Sequence, residues 1–247
     1  MKEQFSFLYH HNSKSVSVPP QEQWPEAWKA VQYKTYPRLP GTMLPSPALA
    51  PIQIKTPGIF DILKERRSRR NFTGGTVSLD ECSTLLKYGM GIVCREDEGA
   101  SRPRSYPSAG GLYPIETYIL CALPPAPLIK GVYHYGVKNH SLSRIRSFGD
   151  DEHLADFFVE PWVDNAAMVI VLTAVFERSY QKYKERAYRF ILQEAGHIMQ
   201  NVYLVSEVMG IKCCSLEKAR TSDNYLENIL DIDGNEESMI AMIAVGR

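Results

Sequence analysis

Apolar residues recur at helical spacing in two stretches of the first half of the chain. In the first stretch, Ile59 and Leu63 share one face of a predicted helix that runs into the basic sequence RRSRRNF. In the second, Ser78 and Glu81 form a capping-box pattern ahead of an apolar stripe. We therefore predict two helices with the arginines at the end of the first, and the second helix ends near residue 89.

A longer helical pattern follows in the second half. Apolar residues recur at helical spacing from residue 179 to residue 209, which predicts one long central helix. Gly210 follows as a C-terminal cap. A shorter helix is predicted to begin at Ser222.

Other apolar runs have the length and composition of strands. They predict strands at residues 115–123, 166–176, 211–216 and 239–245, and a hairpin that turns near Lys138. Helices and strands mix without a regular βαβ repeat, and no internal repeat occurs, which argues against a solenoid. The length fits one α/β or α+β domain or two small domains.

The first 57 residues differ from the rest of the chain. They carry many prolines, which are Pro19, Pro20, Pro25, Pro37, Pro40, Pro45, Pro47 and Pro51. Four large aromatic residues are interleaved with them, namely Trp24, Trp28, Tyr33 and Tyr36. Proline removes backbone donors and disfavours continuous helix or sheet, whereas aromatic side chains favour burial. We predict an extended arm at residues 1–57, lying on its own surface or a partner's, ahead of a domain at residues 58–247.

Composition and charge exclude several classes of protein. The apolar fraction of 44% and the charged fraction of 23% are those of an ordinary globular protein. Lys plus Arg and Asp plus Glu number 28 each, so we predict no nucleic-acid partner. The chain shows no signal-peptide core and no run of about 20 apolar residues, and its five cysteines include no C-x-x-C pair. We predict a cytoplasmic protein with reduced thiols and no membrane partner.

The basic segment carries four arginines around one serine, and three of these guanidinium groups and the hydroxyl are candidate ligands: Arg66, Arg67, Ser68 and Arg70. Such a set can hold a phosphate by bidentate, charge-assisted hydrogen bonds. A solvated helix end, where cations are also favoured, explains the run equally well. The segment therefore nominates a phosphate site without deciding it.

The sequence YPSAGGLYP is small in the middle and bounded by prolines. Its central residues are Pro107, Ser108, Ala109, Gly110 and Gly111. A glycine-containing backbone can approach a flat ligand closely, but a tight turn before a strand has the same composition. The segment is neither a P-loop nor a dinucleotide fingerprint.

Two further features have structural explanations. Glu194 and His197 form one E-x-x-H pair, a quarter of a di-iron site, and no second pair occurs. We expect polar packing or dimer contacts there and no metal, while Gly196 suits close helix approach. Cys213 and Cys214 are neighbours, a poor geometry for a disulfide, and are expected in the core. No nucleophile elbow supports a hydrolase.

Several blocks together resemble the nitroreductase superfamily and, within it, the SagB-type dehydrogenases that oxidise azolines in peptides to thiazoles and oxazoles. The blocks are YHHNSK, RRSRRNF, LLKYGMG, YPSAGGLYPIE, ILQEAGHIMQN and the final VGR, in this order. The resemblance implies an α+β fold with a central, mainly antiparallel sheet flanked by helices. It also implies an intertwined homodimer with FMN at the subunit interface.

The resemblance further implies which residues hold FMN. Arg66, Arg67, Ser68 and Arg70 would bind the phosphate, the ribityl chain and the ring edge, and Arg247 would be a second phosphate ligand. Pro107, Ser108, Ala109, Gly110 and Gly111 would line the isoalloxazine from the other subunit. The sequence GIKCCSLEK resembles the segment that nitroreductases place near flavin N5, which nominates Leu216, Glu217 and Lys218. Lys218 stands where relatives often have glycine.

Azole-forming members of the family carry a Leu-Lys-Tyr motif, which Leu86, Lys87 and Tyr88 reproduce. Forming an aromatic azole removes a proton from the α-carbon and a hydride from the neighbouring carbon. Our hypothesis is that Lys87 or Tyr88 takes the proton, flavin takes the hydride, and dioxygen reoxidises the flavin. An exposed helix end is the plain alternative for this motif.

Other functions fit the same resemblance. The chain could be an NAD(P)H-dependent nitro or quinone reductase, or a non-catalytic FMN-binding subunit of a biosynthetic complex. The substrate could be an azoline-containing peptide or a carrier-bound heterocycle, and a cyclodehydratase or synthetase complex could be a partner. The identity of the substrate is not written in the sequence.

Overall fold

The computed structural model describes residues 5–14, 20, 23–25, 31–47, 58–93 and 103–247. Seven strands form one sheet: β1 (Gly41–Met43), β2 (Ile115–Cys121), β3 (Gly131–Gly136), β4 (Ser141–Ser147), β5 (Met168–Val175), β6 (Lys212–Ser215) and β7 (Glu237–Gly246). Their spatial order is β1-β4-β3-β2-β5-β7-β6. Each neighbouring pair is antiparallel, which confirms the predicted fold class, the four strands and the hairpin.

Helices cover both faces of the sheet. They are α1 (Phe5–Asn12), α2 (Ile59–Glu65), α3 (Leu79–Met90), α4 (Leu154–Phe157), α5 (Glu177–Tyr183), α6 (Ala187–Val208) and α7 (Asp223–Ile229). Successive residues of the central strands point to opposite faces, so Ile119 joins one hydrophobic core and Leu120 the other. The first core includes α3 and α6, and the second includes α4 and α7. The result is a three-layer arrangement with the sheet in the middle.

Local signals in the sequence set several helix ends. At the start of α3 the Ser78 side chain accepts from the Glu81 amide, and the Glu81 side chain accepts from the Ser78 amide, so the capping box is confirmed. At the end of α6, Gly210 has a φ of 65°, and the amides of Gly210 and Ile211 bond to the carbonyls of Glu207 and Ser206. This is the Schellman pattern that satisfies terminal carbonyls.

The prediction of a single helix from residue 179 to residue 209 is wrong. The structure ends α5 at Tyr183 and begins α6 at Ala187, with a 3-10 turn between them. Lys184 has a φ of 47° and a ψ of −139°, which interrupts the helical hydrogen-bond ladder. Both helices pack apolar residues against the same core. The helical spacing of apolar residues therefore continues across residues 184–186, and the sequence pattern does not show the break.

The described parts of the first 57 residues lie on their own chain. β1 pairs with β4 at the edge of the sheet, and the Tyr36 hydroxyl lies 3.0 Å from the Tyr118 hydroxyl. Arg186 and Arg189 donate to backbone carbonyls of the segment that contains α1. Trp28 lies outside the described residues, and the division at residue 57 stays a prediction.

Cys82, Cys121, Cys213 and Cys214 are buried free thiols. The expected core position of the two adjacent cysteines is therefore confirmed. Cys94 lies outside the described residues. Among the helices that the structure describes, none is long and apolar enough to cross a membrane.

Candidate functional site

The basic segment that follows α2 packs against the end of α6 and the edge strand β6. The Arg69 amide donates to the Cys213 carbonyl at 3.0 Å. The Ser68 and Tyr203 hydroxyls lie 3.2 Å apart, and the Tyr203 hydroxyl accepts from the Ser215 amide at 2.9 Å. Tyr203 therefore joins the predicted phosphate-binding segment to the strand that precedes residues 216–218.

The arginines of this segment have different surroundings. The Arg67 guanidinium donates to the carbonyls of Lys64 and Arg66, at 2.7 and 2.8 Å, and so stabilises the end of α2. Arg69 forms a salt bridge of 2.8 Å with Glu207.

The other two arginines flank Ser68. The Arg66 guanidinium lies 5.3 Å from the centroid of the Tyr203 ring. Arg70 is exposed and close enough to the Cys214 thiol to oppose the rise in its pKa that burial causes. Neither forms a salt bridge with any residue in the described part of the chain, so no described carboxylate neutralises these two charges.

The C-terminal Arg247 lies at the start of α3. Its carbonyl accepts from the Thr73 amide at 2.6 Å, and its guanidinium pairs with the Glu81 carboxylate. The side chain remains 41% exposed. The chain end is thus held beside Thr73, three residues after Arg70.

Residues 216–218 form one wall of a cavity of about 320 Å³. Its remaining lining comes from α6, α7 and β7: Met199, Asp223, Met239, Ile240, Ala241 and Met242. The pairing of β5 with β7 shifts between Leu172 and Thr173, which leaves Ile240 as the extra residue of a β-bulge. Bulges often re-aim side chains beside functional sites.

Glu217 and Lys218 are exposed at the mouth of this cavity, and Leu216 is buried. The Glu217 amide donates to the Glu160 carboxylate at 2.8 Å. This bond fixes the backbone of the turn that is predicted to approach flavin N5.

Residues 107–111 form a tight turn with two left-handed glycines. Gly110 and Gly111 have φ values of 65° and 66°, and Ala109–Gly111 is a 3-10 turn. The Ser108 hydroxyl accepts from the Tyr113 amide at 2.9 Å. Pro107 and Gly110 are exposed, while Ser108 and Ala109 are half-buried. A hydrogen bond within the segment therefore holds this turn, and two of its residues are exposed to solvent.

Glu194 lies behind this turn and is buried. Burial raises the pKa of Glu194 to about 7, although the neighbouring Ser108 and Arg104 oppose the rise. His197, its partner in the E-x-x-H pair, is exposed. Among the described residues, no group of three or more His, Cys, Asp or Glu side chains could hold a metal ion.

Lys87 and Tyr88 lie in the last turns of α3 and are half-buried. Ser83, one helical turn before Lys87, lies 2.7 Å from His140 Nε2, and His140 Nδ1 lies 2.7 Å from the Tyr135 hydroxyl. Burial, with the nearby charge of Lys87, lowers the pKa of His140 to about 4. Lys87 is therefore flanked by an imidazole that stays neutral near pH 7.

The end of α3 is tied to the loop that leads into residues 107–111. The Asn201 side chain donates to the Gly89 carbonyl at 3.3 Å and to the Ser105 carbonyl at 3.0 Å. The Ser105 amide donates to the Gly91 carbonyl at 2.9 Å. The predicted catalytic pair and the predicted ring-lining segment thus share one support on α6.

Within one chain, residues 107–111 and the basic segment do not converge on a single point. They contact α6 near Glu194 and near Tyr203 respectively. Glu194 and Tyr203 are nine positions apart on α6, which corresponds to about 13 Å along the helix axis at 1.5 Å per residue. The chain carries two separate parts of the predicted site.

The sequence profile of the nitroreductase family matches residues 63–247. The chain belongs to the nitroreductase family. A protein of Methanocaldococcus jannaschii described as a nitroreductase is 31% identical over 189 residues, which cover 76% of this chain and 89% of that protein. A nitroreductase structure from Anabaena variabilis has a TM-score of 0.70 and 25% identity, covering 97% of this chain and 45% of that one.

Two other relatives of this nitroreductase-family chain are named as processing proteins. The microcin B17-processing protein McbC of Escherichia coli is 32% identical over 165 residues, covering 61% of this chain and 56% of McbC. The trifolitoxin-processing protein TfxB of Rhizobium leguminosarum is 28% identical over 179 residues, covering 69% of this chain and 48% of TfxB. This chain spans about half the length of both relatives.

The microcin synthetase McbBCD complex of E. coli, solved with truncated pro-MccB17 bound, shares the fold. Its TM-score is 0.58 at 22% identity, covering 96% of this chain and 85% of the matched chain.

Three residues near the site of this nitroreductase-family chain escaped the sequence patterns. The sequence marks Glu194 only as one half of the E-x-x-H pair, and no sequence pattern marks His140 or Lys182. Each is buried or half-buried by residues distant along the chain. A charged residue on the core side of an apolar stripe was the only signal for Glu194, which lies between buried Ile191 and Ile198.

Proposed function

We propose that this nitroreductase-family chain binds FMN and dehydrogenates azoline rings in a peptide or carrier-bound substrate, forming thiazoles or oxazoles. The observation that carries the proposal is the tie between the Leu-Lys-Tyr segment and the loop before residues 107–111, made by Asn201. It supports a proton acceptor placed beside a flat, glycine-containing surface. The relatives McbC and TfxB, both named as processing proteins, support the same substrate class.

The residues of the basic segment fit the phosphate of FMN. Arg66 and Arg70 carry charges that no described carboxylate neutralises, and Ser68 offers a hydroxyl between them. We propose that these three side chains, with Arg247, hold the phosphate and ribityl chain. Arg67 serves the end of α2 instead, because its guanidinium already binds two backbone carbonyls.

The remainder of the site fits the ring system. The left-handed backbone of Gly110 and Gly111 leaves a surface without side chains, which a planar ring can approach closely. Residues 216–218, held by Glu160, would contact the other face near N5. When bound, FMN supplies the two-electron acceptor that the reaction needs.

A second copy of the chain would complete this site. The two parts of the site are separated along α6, so residues 107–111 would reach the FMN of the partner. The apolar face of α2 is exposed, with Phe60 at 83% and Ile59 at 53%. An added side-chain atom at Gly196 on α6 would meet nothing within 4 Å. These exposed surfaces support a homodimer that buries α2 and the outer face of α6.

In the proposed reaction the protein's own groups handle the proton. Lys87 or Tyr88 accepts the α-proton of the azoline while the neighbouring carbon loses a hydride. The hydrogen bonds of His140 with Ser83 and Tyr135 tie α3 to β3, one helical turn before Lys87. Dioxygen is the proposed final electron acceptor, and an azoline-forming cyclodehydratase is the proposed partner. The shared fold with a chain of the McbBCD synthetase complex supports such an assembly.

The test is to purify the protein, record its flavin absorbance, and incubate it with thiazoline-containing peptides in air. We expect a yellow dimer and a peptide product whose mass is lower by that of two hydrogen atoms. Lys87→Ala should retain flavin and lose turnover, whereas the exposed hairpin variant Lys138→Ala should retain both. A colourless monomer that refuses FMN contradicts the proposal, and unimpaired Lys87→Ala removes Lys87 from the mechanism.

An NAD(P)H-dependent nitro or quinone reductase is the second candidate. The M. jannaschii relative, which this chain covers over most of its length, is described as a nitroreductase and favours it. Rapid bleaching of the bound flavin by NADH or NADPH, without any reaction on azoline peptides, would establish this alternative.

A further inference from the structure

Lys182 is a buried lysine on α5. Its side chain belongs to the most deeply buried in the protein, with 1% of its surface exposed. Its Nζ has no hydrogen-bond partner among the residues that the structure describes. Instead, Nζ lies 3.1 Å from the centroid of the Trp24 ring and 5.0 Å from that of the Tyr183 ring.

The Lys182 amine lies next to the turn at residues 107–111. An added Cβ at Gly110 would lie 2.6 Å from Lys182 Nζ and 2.7 Å from the Tyr183 hydroxyl. Real Cβ atoms do not approach other atoms so closely, so a side chain at position 110 would displace the ends of Lys182 and Tyr183, and the φ of 65° also favours glycine here. The positive group therefore sits directly behind the backbone that the proposed flavin ring would meet.

This arrangement is costly in the protein alone. Burying a polar group without a hydrogen bond is unfavourable, and burying a charge is more so. Cation–π contact with the two aromatic faces recovers only part of this cost. Burial lowers the pKa of Lys182, and no described carboxylate forms an ion pair with it. The Lys182 amine therefore has no anionic partner among the described residues.

We propose that Lys182 stabilises the negative charge that the flavin acquires when it accepts a hydride. A neutral oxidised ring that gains a hydride gains one negative charge, and a cation behind residues 107–111 lowers the energy of that charge. This inference rests on the proposed function, since it requires that FMN meets this turn. The cation is contributed by α5, outside the basic segment and the C-terminus.

Sulfite provides a probe that needs no substrate. It adds to an oxidised flavin and leaves the ring negatively charged, so its affinity reports the positive charge around the ring. The experiment compares the FMN-loaded dimer with Lys182→Met, Lys182→Gln and Lys182→Arg. The control is Lys184→Met, because Lys184 is exposed two residues away and, among the described residues, its side chain donates to the Gln181 carbonyl alone.

For each protein we would measure FMN content, the sulfite dissociation constant by loss of visible absorbance, and the flavin midpoint potential. Lys182→Met and Lys182→Gln should bind FMN but hold sulfite at least about tenfold more weakly, with a lower potential. Lys182→Arg should stay within about threefold of the parent protein, since it restores the charge. Lys184→Met should not differ from the parent.

The outcomes separate this inference from the proposed function. If the parent protein binds no FMN, the proposed function fails first. If it binds FMN, and the neutral variants bind FMN and sulfite as the parent does, Lys182 has no such role and the inference is wrong. If one neutral variant fails to fold, the other decides by the same measurement. Equal losses in the arginine and methionine variants would also overturn it, because charge would then not be the cause.

Discussion

The Glu81 carboxylate binds the guanidinium of Arg247 and caps α3 at the same time. One oxygen pairs with Arg247 Nη2, and the other accepts from the Ser78 amide at 2.9 Å. A residue chosen for a local cap thus also holds the last residue of the chain. The start of α3 and the C-terminus are joined as a result.

This double role predicts a stability effect. Glu81→Ala removes the reciprocal cap and a half-exposed ion pair, so we expect the free energy of unfolding to fall by about 1–2 kcal/mol. Glu81→Gln keeps an acceptor for the Ser78 amide and should cost about half as much. Urea unfolding measures both, with Asp80→Ala in the same turn as the control. An Asp80→Ala loss as large as that of Glu81→Ala would show that the effect is not specific to the cap.

The arginines of the basic segment should differ in their effect on FMN. We expect Arg70→Ala to raise the FMN dissociation constant at least about tenfold, because it removes an unpaired charge beside Ser68. Arg67→Ala should change the FMN affinity less than about threefold, since Arg67 binds carbonyls of α2, and should affect stability instead. Fluorescence titration with FMN distinguishes them. An equal loss of FMN affinity in the two variants would mean that Arg67 also binds the cofactor.

Glu194 predicts a pH dependence of stability. Its pKa is raised to about 7 in the folded protein, so the folded state binds a proton more tightly than the unfolded state. The corresponding stability is present below the unfolded pKa of about 4.5 and is lost as pH rises through about 7.

The comparison is between the parent protein and Glu194→Gln. From pH 5 to pH 8 the parent should lose up to about 3 kcal/mol relative to the variant. Urea unfolding at several pH values measures the difference, and subtracting the variant removes the contribution of other groups. Parallel curves for the two proteins would mean that Glu194 is ionised in the folded state.

Two adjacent glycines offer a matched test of contact against backbone conformation. Gly110 and Gly111 have nearly equal positive φ values, but only the Cβ of an alanine at position 110 would meet neighbours, namely Lys182 and Tyr183. Gly111→Ala should therefore cost about 1 kcal/mol of backbone strain. Gly110→Ala should cost about 1–3 kcal/mol more, as overpacking does.

Thermal unfolding of both alanine variants gives the comparison directly. Similar losses at the two positions would show that the turn relaxes around the added methyl group, and that Lys182 is less tightly held than its burial indicates.

The sequence predicts many of the helix ends and strands, because the signals for them are local. The Ser78 and Glu81 cap, the Gly210 terminus and the strand runs each depend on residues within one or two turns. The ordered motif blocks also identified the family and nominated Arg66, Ser68 and Arg247.

Only the tertiary structure decided how those residues are used. Arg66 and Arg67 are neighbours in the same motif, but one lies over Tyr203 and the other binds the end of α2. The break at Lys184 was hidden because α5 and α6 share one core. Lys182 owes its burial to Trp24 and to the turn at Gly110, both far away in sequence. Periodicity and caps report neighbours along the chain, whereas burial, pairing and pKa depend on groups that only folding brings together.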